Sequence, residues 1–380
     1  MRNKKECCGC TAFFHICPIN CIVMKEDEEG FLYPNIDKAK CIHCNKCKEV
    51  CPNRNIENRN TRTQTFVGYY KDDEVRKQSS SGGIFSAIAE WILQQKGVVF
   101  GAAFDENFEV HHIAVETKEE LIKLRGSKYV QSRLENTFLE AKEYLEKKRK
   151  VLFTGTACQI AGLKNYLSAE YENLYTVDVL CHGAPSPKIW RMYLDDKKEQ
   201  YQASINKVEF RNKDDGWKNF FINIAFSNME RFYTHHNKEK FMRMFLDNLD
   251  LRPSCYSCVF KEIPRISDVT IGDSWGVENY MPDMDDDKGT SVILVHSSNG
   301  EKIFQEIRKN LIVNEVGLDV AVSPTADSRK SVTMHPNRNK YLEGVKRGEN
   351  FDVLYEYVKK SFLQRAVGYV QYFINNLRMK

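Results

Sequence analysis

Two stretches, ECCGCTAFFHICPINC at residues 6–21 and CIHCNKCKEVCP at residues 41–52, decide how the first part of this chain folds. In the second, Cys41, Cys44, Cys47 and Cys51 stand at gaps of two, two and three residues, and Pro52 follows the last. Gaps this short wind the backbone around one small object, so that three thiolates converge on it while the fourth reaches elsewhere. In the first, Cys7, Cys10, Cys17 and Pro18 repeat the pattern, but Phe13 stands where the third thiol belongs.

The second run has the spacing of bacterial two-cluster ferredoxins, in which the last cysteine of each run ligates the other cluster. By that crossed rule Cys41, Cys44, Cys47 and Cys17 form one complete 4Fe-4S site, whereas Cys7, Cys10 and Cys51 leave the other with an open corner. Zinc also accepts C-x-x-C pairs, but two runs that each close with Cys-Pro favour iron-sulfur. The open corner has three outcomes: Cys8 or Cys21 swings in, the cluster loses an iron, or the cluster is missing and Phe13 packs into the gap. We read it as an incomplete or altered cluster, since Cys8 directly follows a ligand and should point away. Cys8 and Cys21 then serve as small buried hydrophobes.

Outward from this unit, the 380 residues suffice for two or three domains. The balance of 56 basic and 52 acidic residues, a net charge of +4, is too mild to announce nucleic-acid binding. The N-terminus lacks the apolar segment of a secretory signal, and no apolar run would span a membrane. A cytoplasmic location is expected, where thirteen cysteines are better explained by metal or cluster ligation than by disulfides. The expected division is an iron-sulfur unit at 1–53, a polar linker at 54–65, an α/β domain with a mostly parallel sheet at 66–340, and a helical tail at 341–380.

Within the α/β part, Ser79-Ser80-Ser81-Gly82-Gly83 leads into a helix carrying Ile84, Phe85, Ile88, Ile92 and Leu93, followed by the strand VVFGAAF. Two more strands, VLFTGTAC and LYTVDVLC, run out to Cys158 and Cys181. Parallel strands would place both thiols on the carboxyl edge, where open α/β sheets bind ligands. Residues 205–235 are expected as antiparallel strands and 237–249 as a helix.

Cys158, Cys181, Cys255 and Cys258 are the four cysteines outside the N-terminal unit. They could close a 4Fe-4S site or a zinc site, or be buried structural thiols. Ser81, Gly82 and Gly83, at a helix start, offer backbone N–H groups and a dipole suited to phosphate. Arg125, Ser127, Lys128 and Tyr129 add cations, a hydroxyl and a ring; an ordinary loop is the plainer reading. His182 could act as a general acid or simply be structural, and Asp268 and Asp273, flanking DVTIGD, could be caps or catalytic.

The stretches SSSGGIFS, GSKYVQS, GTACQIAGL, VLCHG, FRNKDDGW and SCYSCVFKEIPRISDVTIGDSWG together make the chain resemble the beta-subunit family of the deazaflavin (coenzyme factor 420) hydrogenases and dehydrogenases. That family also includes 7-hydroxymethyl chlorophyll a reductase, and the likeness runs from Cys7 to about Pro336. It implies an α/β flavoprotein domain in which Cys158, Cys181, Cys255 and Cys258 ligate a 4Fe-4S cluster and Ser81, Gly82, Gly83, Ser127, Lys128 and Tyr129 touch FAD.

The expected function is therefore that of an FAD-dependent iron-sulfur oxidoreductase with two or three 4Fe-4S clusters. It would pass electrons between a ferredoxin-like or deazaflavin partner and an organic substrate. The rival is a non-catalytic electron-transfer subunit docking on a larger enzyme, and a weaker one is a zinc-stapled scaffold. No catalytic residue is assigned. From Lys359 to Lys380 the tail lacks acids and gathers Phe362, Ala366, Tyr369, Val370, Phe373 and Leu377 near one helical face, for packing or for contact with a membrane surface.

Overall fold

In the computed structural model, which describes residues 3–54 and 60–359, the strands are, in chain order, β1 (Ile22–Glu26), β2 (Leu32–Ile36), β3 (Gln64–Tyr70), β4 (Val98–Phe104), β5 (Val110–Val115), β6 (Val151–Thr156), β7 (Leu174–Val179), β8 (Ile205–Asn212), β9 (Phe221–Phe226), β10 (Arg231–His235), β11 (Val269–Asp273), β12 (Ser291–Val295) and β13 (Leu311–Glu315). The apolar runs VVFGAAF, VLFTGT and LYTVDV are buried on both faces, as strands at the centre of a covered sheet must be.

These runs form the middle of an eight-stranded sheet ordered β13-β3-β12-β11-β7-β6-β4-β5. β4, β6, β7 and β11 are mutually parallel neighbours, while β5, β12 and β13 pair antiparallel with theirs. Because β3 is antiparallel to β12, it runs with the central four, so five of the eight strands point the same way. The sheet is thus mostly parallel with antiparallel additions at both sides.

Alternate side chains of one strand feed two cores. Val151 and Phe153 face helices Thr137–Glu146 and Ala157–Leu167, burying Phe138, Ala141, Ile160 and Leu163 with them. Leu152 faces the opposite layer, helices Ile84–Gln94 and Ser298–Arg308, where Ile88, Ile92, Ile303 and Phe304 lie. The expected antiparallel region is present as the three-stranded sheet β10-β9-β8, and the expected helix as Lys240–Leu246. Both pack with helix Pro187–Tyr201 around a further core that includes Trp190, Phe210 and Phe241.

The N-terminal unit consists of the hairpin β1–β2 and two short helices, Ala12–Ile16 and Lys46–Glu49. Cys10, Phe13 and Cys51 share an apolar cluster with the helix Ala157–Leu167, so the unit is docked on that layer of the body. The reason is visible at Gly162, where a Cβ would stand 2.6 Å from the Cβ of Cys10. Only a residue without a side chain lets the cysteine loop lie against the helix.

Part of the expected linker, residues 55–59, and nearly all of the expected tail helix, residues 360–380, lie outside the described residues. Just past the first gap, Asn60 donates to the carbonyls of Arg265 and Ser267 at 2.7 and 2.9 Å, which ties the chain to the body before β3 begins. Before the second, helices Arg338–Arg347 and Phe351–Glu356 close the described chain.

Candidate metal centres

The two cysteine runs are repeated in three dimensions as well as in spacing. Thr11, after Cys10, and Asn45, after Cys44, both hold left-handed backbone (φ 57° and 62°), and each starts a short helix. Phe13 lies in the first helix where Cys47 lies in the second. Its ring is buried among Cys10, Cys21, Val50 and Cys51.

Three cysteines of the expected crossed set lie near the fourth, Cys47. Burial raises the Cys47 thiol, and Cys44, Cys41 and Cys17 raise it further, so those three sit within electrostatic reach of Cys47. Cys17 Sγ accepts from the backbone N–H of Cys21 at 3.3 Å, and although burial works against it, that bond and a further one from Ile19 hold its pKa below the usual thiol value. Hydrogen bonds to sulfur are one of the means by which a protein tunes a cluster. Cys21 lies 3.5 Å from Cys17, sulfur to sulfur, and burial together with that neighbour pushes it up to about 11. Cys44 is exposed.

The four body cysteines come from three places and approach one another. Thr156 ends β6, two residues earlier than a strand running to Cys158 would, and caps the following helix reciprocally with Gln159. Cys158 therefore stands in the first turn of that helix, with its sulfur 3.1 Å from Thr156 Oγ1. Cys181 lies just beyond β7, and Cys255 and Cys258 lie in and after the turn Pro253–Ser257. Burial raises Cys181 to about 12 and Cys255 higher still, and the mutual effects among Cys158, Cys181, Cys255 and Cys258 reach every pair. Thiols packed this way are neutral as they stand; a metal among them would reverse that.

Cys8 joins the two regions. It interacts with Cys10 and with Cys158, close enough that each contact lifts its pKa or that of its partner. Cys158 and Gly162 share one face of their helix, four residues apart, and Gly162 touches Cys10. The expectation that Cys8 points away from its neighbours is corrected here: it faces the body thiols. All thirteen cysteines are free, as expected for a chain without a disulfide framework. Among the described residues no three His, Cys, Asp or Glu side chains are placed to hold a single ion.

The other stretches singled out in the sequence gather on the same sheet edge. Ser81 Oγ donates to the carbonyl of Thr290, and the N–H of Gly82 donates to Ser291 Oγ, next to the start of β12 and the end of β3. Ser127 closes on this loop, its N–H and Oγ meeting Ser80 Oγ at 2.6 and 2.9 Å. Lys128 turns inward to the carbonyls of Leu124, Arg125 and Gly126, and burial lowers its pKa to about 7. Tyr129 is packed against Phe210 and Phe245. Arg125 is turned to Ser86, Gln78 and Glu90 and away from an open loop.

Sequence reasoning assigned no role to FRNKDDGW beyond the resemblance, yet it supplies much of this edge. Lys213 Nζ donates to the carbonyls of Arg76, Ser81 and Lys288, and burial lowers its pKa to about 7. Arg211 is bonded to Asp273, at the end of β11, and to the hydroxyl of Tyr129. Trp217 donates to Asp273 and stacks on the half-exposed Trp275 at 4.6 Å. The signal available was the clustering of Arg, Lys and Trp in an eight-residue run.

Asp268 accepts from the N–H and hydroxyl of Thr176 and from Ser297, a structural pin between strands and helix. His182 is held by Asn248 and faces Asp327 and Phe245. A cavity of about 30 Å³, room for a water or two, lies at the seam between unit and body, beside Gly9, Gln131 and Arg191, and apart from the Ser81–Ser127 junction. Among the described residues no helix is long and apolar enough to cross a membrane.

Comparison with known proteins accords with this arrangement. Residues 34–57 match the 4Fe-4S binding domain model. Residues 65–138 and 148–319 match the models of the N-terminal and C-terminal parts of the coenzyme F420 hydrogenase/dehydrogenase beta subunit. No curated protein matches the chain. Among solved structures it is similar in fold to a chain of the F420-reducing NiFe hydrogenase complex from Methanosarcina barkeri, at 17% identity and a TM-score of 0.50, covering 75% of this chain and 92% of that one. With a 4Fe-4S binding unit ahead of both segments of that model, the chain belongs to the coenzyme F420 hydrogenase/dehydrogenase beta-subunit family of oxidoreductases.

Proposed function

We propose that the chain is an iron-sulfur flavoprotein that moves electrons between a ferredoxin-like or deazaflavin partner and an organic substrate. The observation that carries this reading is the gathering of Cys158, Cys181, Asp273 and the Ser81–Gly83 loop on one sheet edge. Cys158 and Cys181 follow β6 and β7, Asp273 ends β11, and the Ser81–Gly83 loop caps β3, all at the carboxyl ends of strands that run the same way. In such sheets that edge is where ligands bind.

Each group of residues has a share in this function. Cys17, Cys41, Cys44 and Cys47 would hold the entry cluster, with Cys44 and the 60%-exposed Ile42 open to a partner protein. Cys7, Cys10 and Cys51 would hold a second, altered by Phe13, and Cys158, Cys181, Cys255 and Cys258 a third beside it. Among the described residues Lys128 and Lys213 donate to backbone carbonyls, and burial depresses both pKa values, so an anion placed beside them would be favoured. A pyrophosphate beside Ser81, Gly82, Gly83 and Ser127 would supply that anion, so the residues present fit FAD. When bound, FAD would supply the exchange between single electrons and a two-electron or hydride step. The chain's own part is to hold that group dry, against Tyr129 and the sheet edge, within reach of the body thiols.

Anaerobic purification followed by iron, sulfide, zinc and flavin analysis tests this. About eight to eleven iron per chain with one FAD is expected. Iron without flavin would leave an electron carrier in place of an enzyme, and zinc without iron would end the redox reading.

A further inference from the structure

Arg252 has its whole side chain inside the protein, 1% exposed. The other fully buried guanidiniums have carboxylate partners: Arg76 has Asp286, Arg265 has Asp178 and Arg338 has Glu29. Arg252 has none among its described partners. Its Nε donates to the carbonyl of Cys7 at 2.7 Å, Nη1 to Gln131 Oε1 at 2.7 Å, and Nη2 to the carbonyl of Leu32 at 2.9 Å, with Cys7 Sγ at 3.7 Å from Nη2. A buried charge without a counter-ion is strongly destabilising, so its compensation must come from something nearby.

Thiols surround it from both regions. The charge centre lies 4.2 Å from the ring of Tyr33 and 5.3 Å from that of Phe31 in the N-terminal unit. Its backbone is anchored in the body: the N–H donates to Ala184, and the carbonyl accepts from Cys255. Ala184 in turn donates to Cys255 Sγ at 3.4 Å. Besides Cys7, its surroundings include Cys8, whose carbonyl is held by the same Gln131, and Cys255, whose N–H bonds the Arg252 carbonyl at 2.9 Å. The fit is built on Gly9, at φ +75°, whose missing Cβ would stand 2.8 Å from Nη1 and 2.9 Å from Gln131 Nε2.

We propose that Arg252 is the shared counter-ion of the Cys7/Cys10/Cys51 site and the Cys158/Cys181/Cys255/Cys258 site, raising the reduction potential of both. It is a positioning residue acting through charge, and the proposal rests on the reading that these thiols hold iron-sulfur clusters. A cluster gains negative charge on reduction, so a fixed cation beside its ligands favours the reduced state. The Cys17/Cys41/Cys44/Cys47 site has no described contact with Arg252 and is an internal reference in the same molecule.

The test is an EPR-monitored redox titration of the full-length, anaerobically purified protein and three variants, with iron and sulfide measured on each. Arg252→Gln should lower the midpoints of the two adjoining sites so that, at a fixed potential, the reduced-to-oxidised ratio falls about tenfold, equal to 59 mV for one electron. Arg252→Lys keeps the charge and should stay within about threefold of the parent. Gln131→Glu sets an anion against Nη1 without removing the arginine; it loses the bond from Gln131 Nε2 to the Cys8 carbonyl but should shift the same two midpoints in the same direction. The reference site should not move. Unchanged midpoints in iron-replete Arg252→Gln would make Arg252 a bolt between unit and body and overturn the proposal. Should that variant fail to accumulate, Gln131→Glu decides by the same criterion. Parent protein without iron would overturn the cluster reading itself, and the proposal with it.

Discussion

The Cys41–Cys51 loop and the Cys158–Cys258 group each bring four thiols together, and they do so by opposite means. The loop works locally, through two-residue gaps and left-handed turns at His43 and Asn45, with one sulfur borrowed from Cys17 and with Cys44 in solvent. The body group works at long range: two strand ends and a distant turn meet only because β6 and β7 lie parallel and in register, Thr156 beside Val179. A locally wound site survives damage to the rest of the fold, whereas a site made of strand ends is part of the fold itself.

The most severe way to break this comparison is to delete one sulfur from each. Cys181→Ser should abolish the body cluster, removing about four iron, and should also lower the unfolding temperature, since a buried site loses its centre. Cys44→Ser should remove about as much iron while leaving the far-UV CD melt of the body nearly unchanged. Equal melting losses in the two variants would contradict the division into local and fold-dependent sites.

A smaller effect sharpens the link between the regions. Gly162→Ala puts a methyl group where Cys10 lies, and overpacking of this kind costs about 1–3 kcal/mol. The gain in helix propensity from alanine, about 1 kcal/mol, does not offset a 2.6 Å contact. The denaturation midpoint should fall, and limited proteolysis should release the N-terminal unit faster than in the parent.

The smallest effect is a pH dependence. Lys128 titrates near 7 in the folded chain against 10.5 when unfolded, so between those values the unfolded state binds more protons and stability rises with pH. The penalty is complete below pH 7 and gone above about 10.5. Lys128→Met removes it, so relative to the parent this variant should gain about 1 kcal/mol between pH 9.5 and pH 6, a figure reduced for solvent screening. Denaturant melts of nucleotide-free protein at the two pH values would check this, and added pyrophosphate should diminish the difference.

The two regions were unequally legible in the sequence. In the N-terminal unit the repeat and the misfit at Phe13 could both be read from spacing, because a short-gap motif leaves the backbone few ways to wind. The helix after Gly83 and the strands VVFGAAF, VLFTGT and LYTVDV were equally plain, since apolar periodicity and runs report burial directly. The part played by FRNKDDGW was not plain. Lys213 is an ordinary basic residue until the sheet edge brings it to the carbonyl of Ser81, more than a hundred positions away.

By itself, then, the sequence determined the repeat of the two cysteine runs, the α/β class with its mostly parallel sheet, and the membership of Ser81–Gly83 in a loop opening a helix. Each depends on neighbours along the chain, whose geometry bond lengths and periodicity dictate. Only the tertiary structure decided that Cys8 faces Cys158, that Gly162 makes room for Cys10, and that Arg252 lies buried between the two thiol regions with no carboxylate partner among the described residues. These are contacts between residues far apart in the chain, and they are selected by how the N-terminal unit packs on one helix of the body.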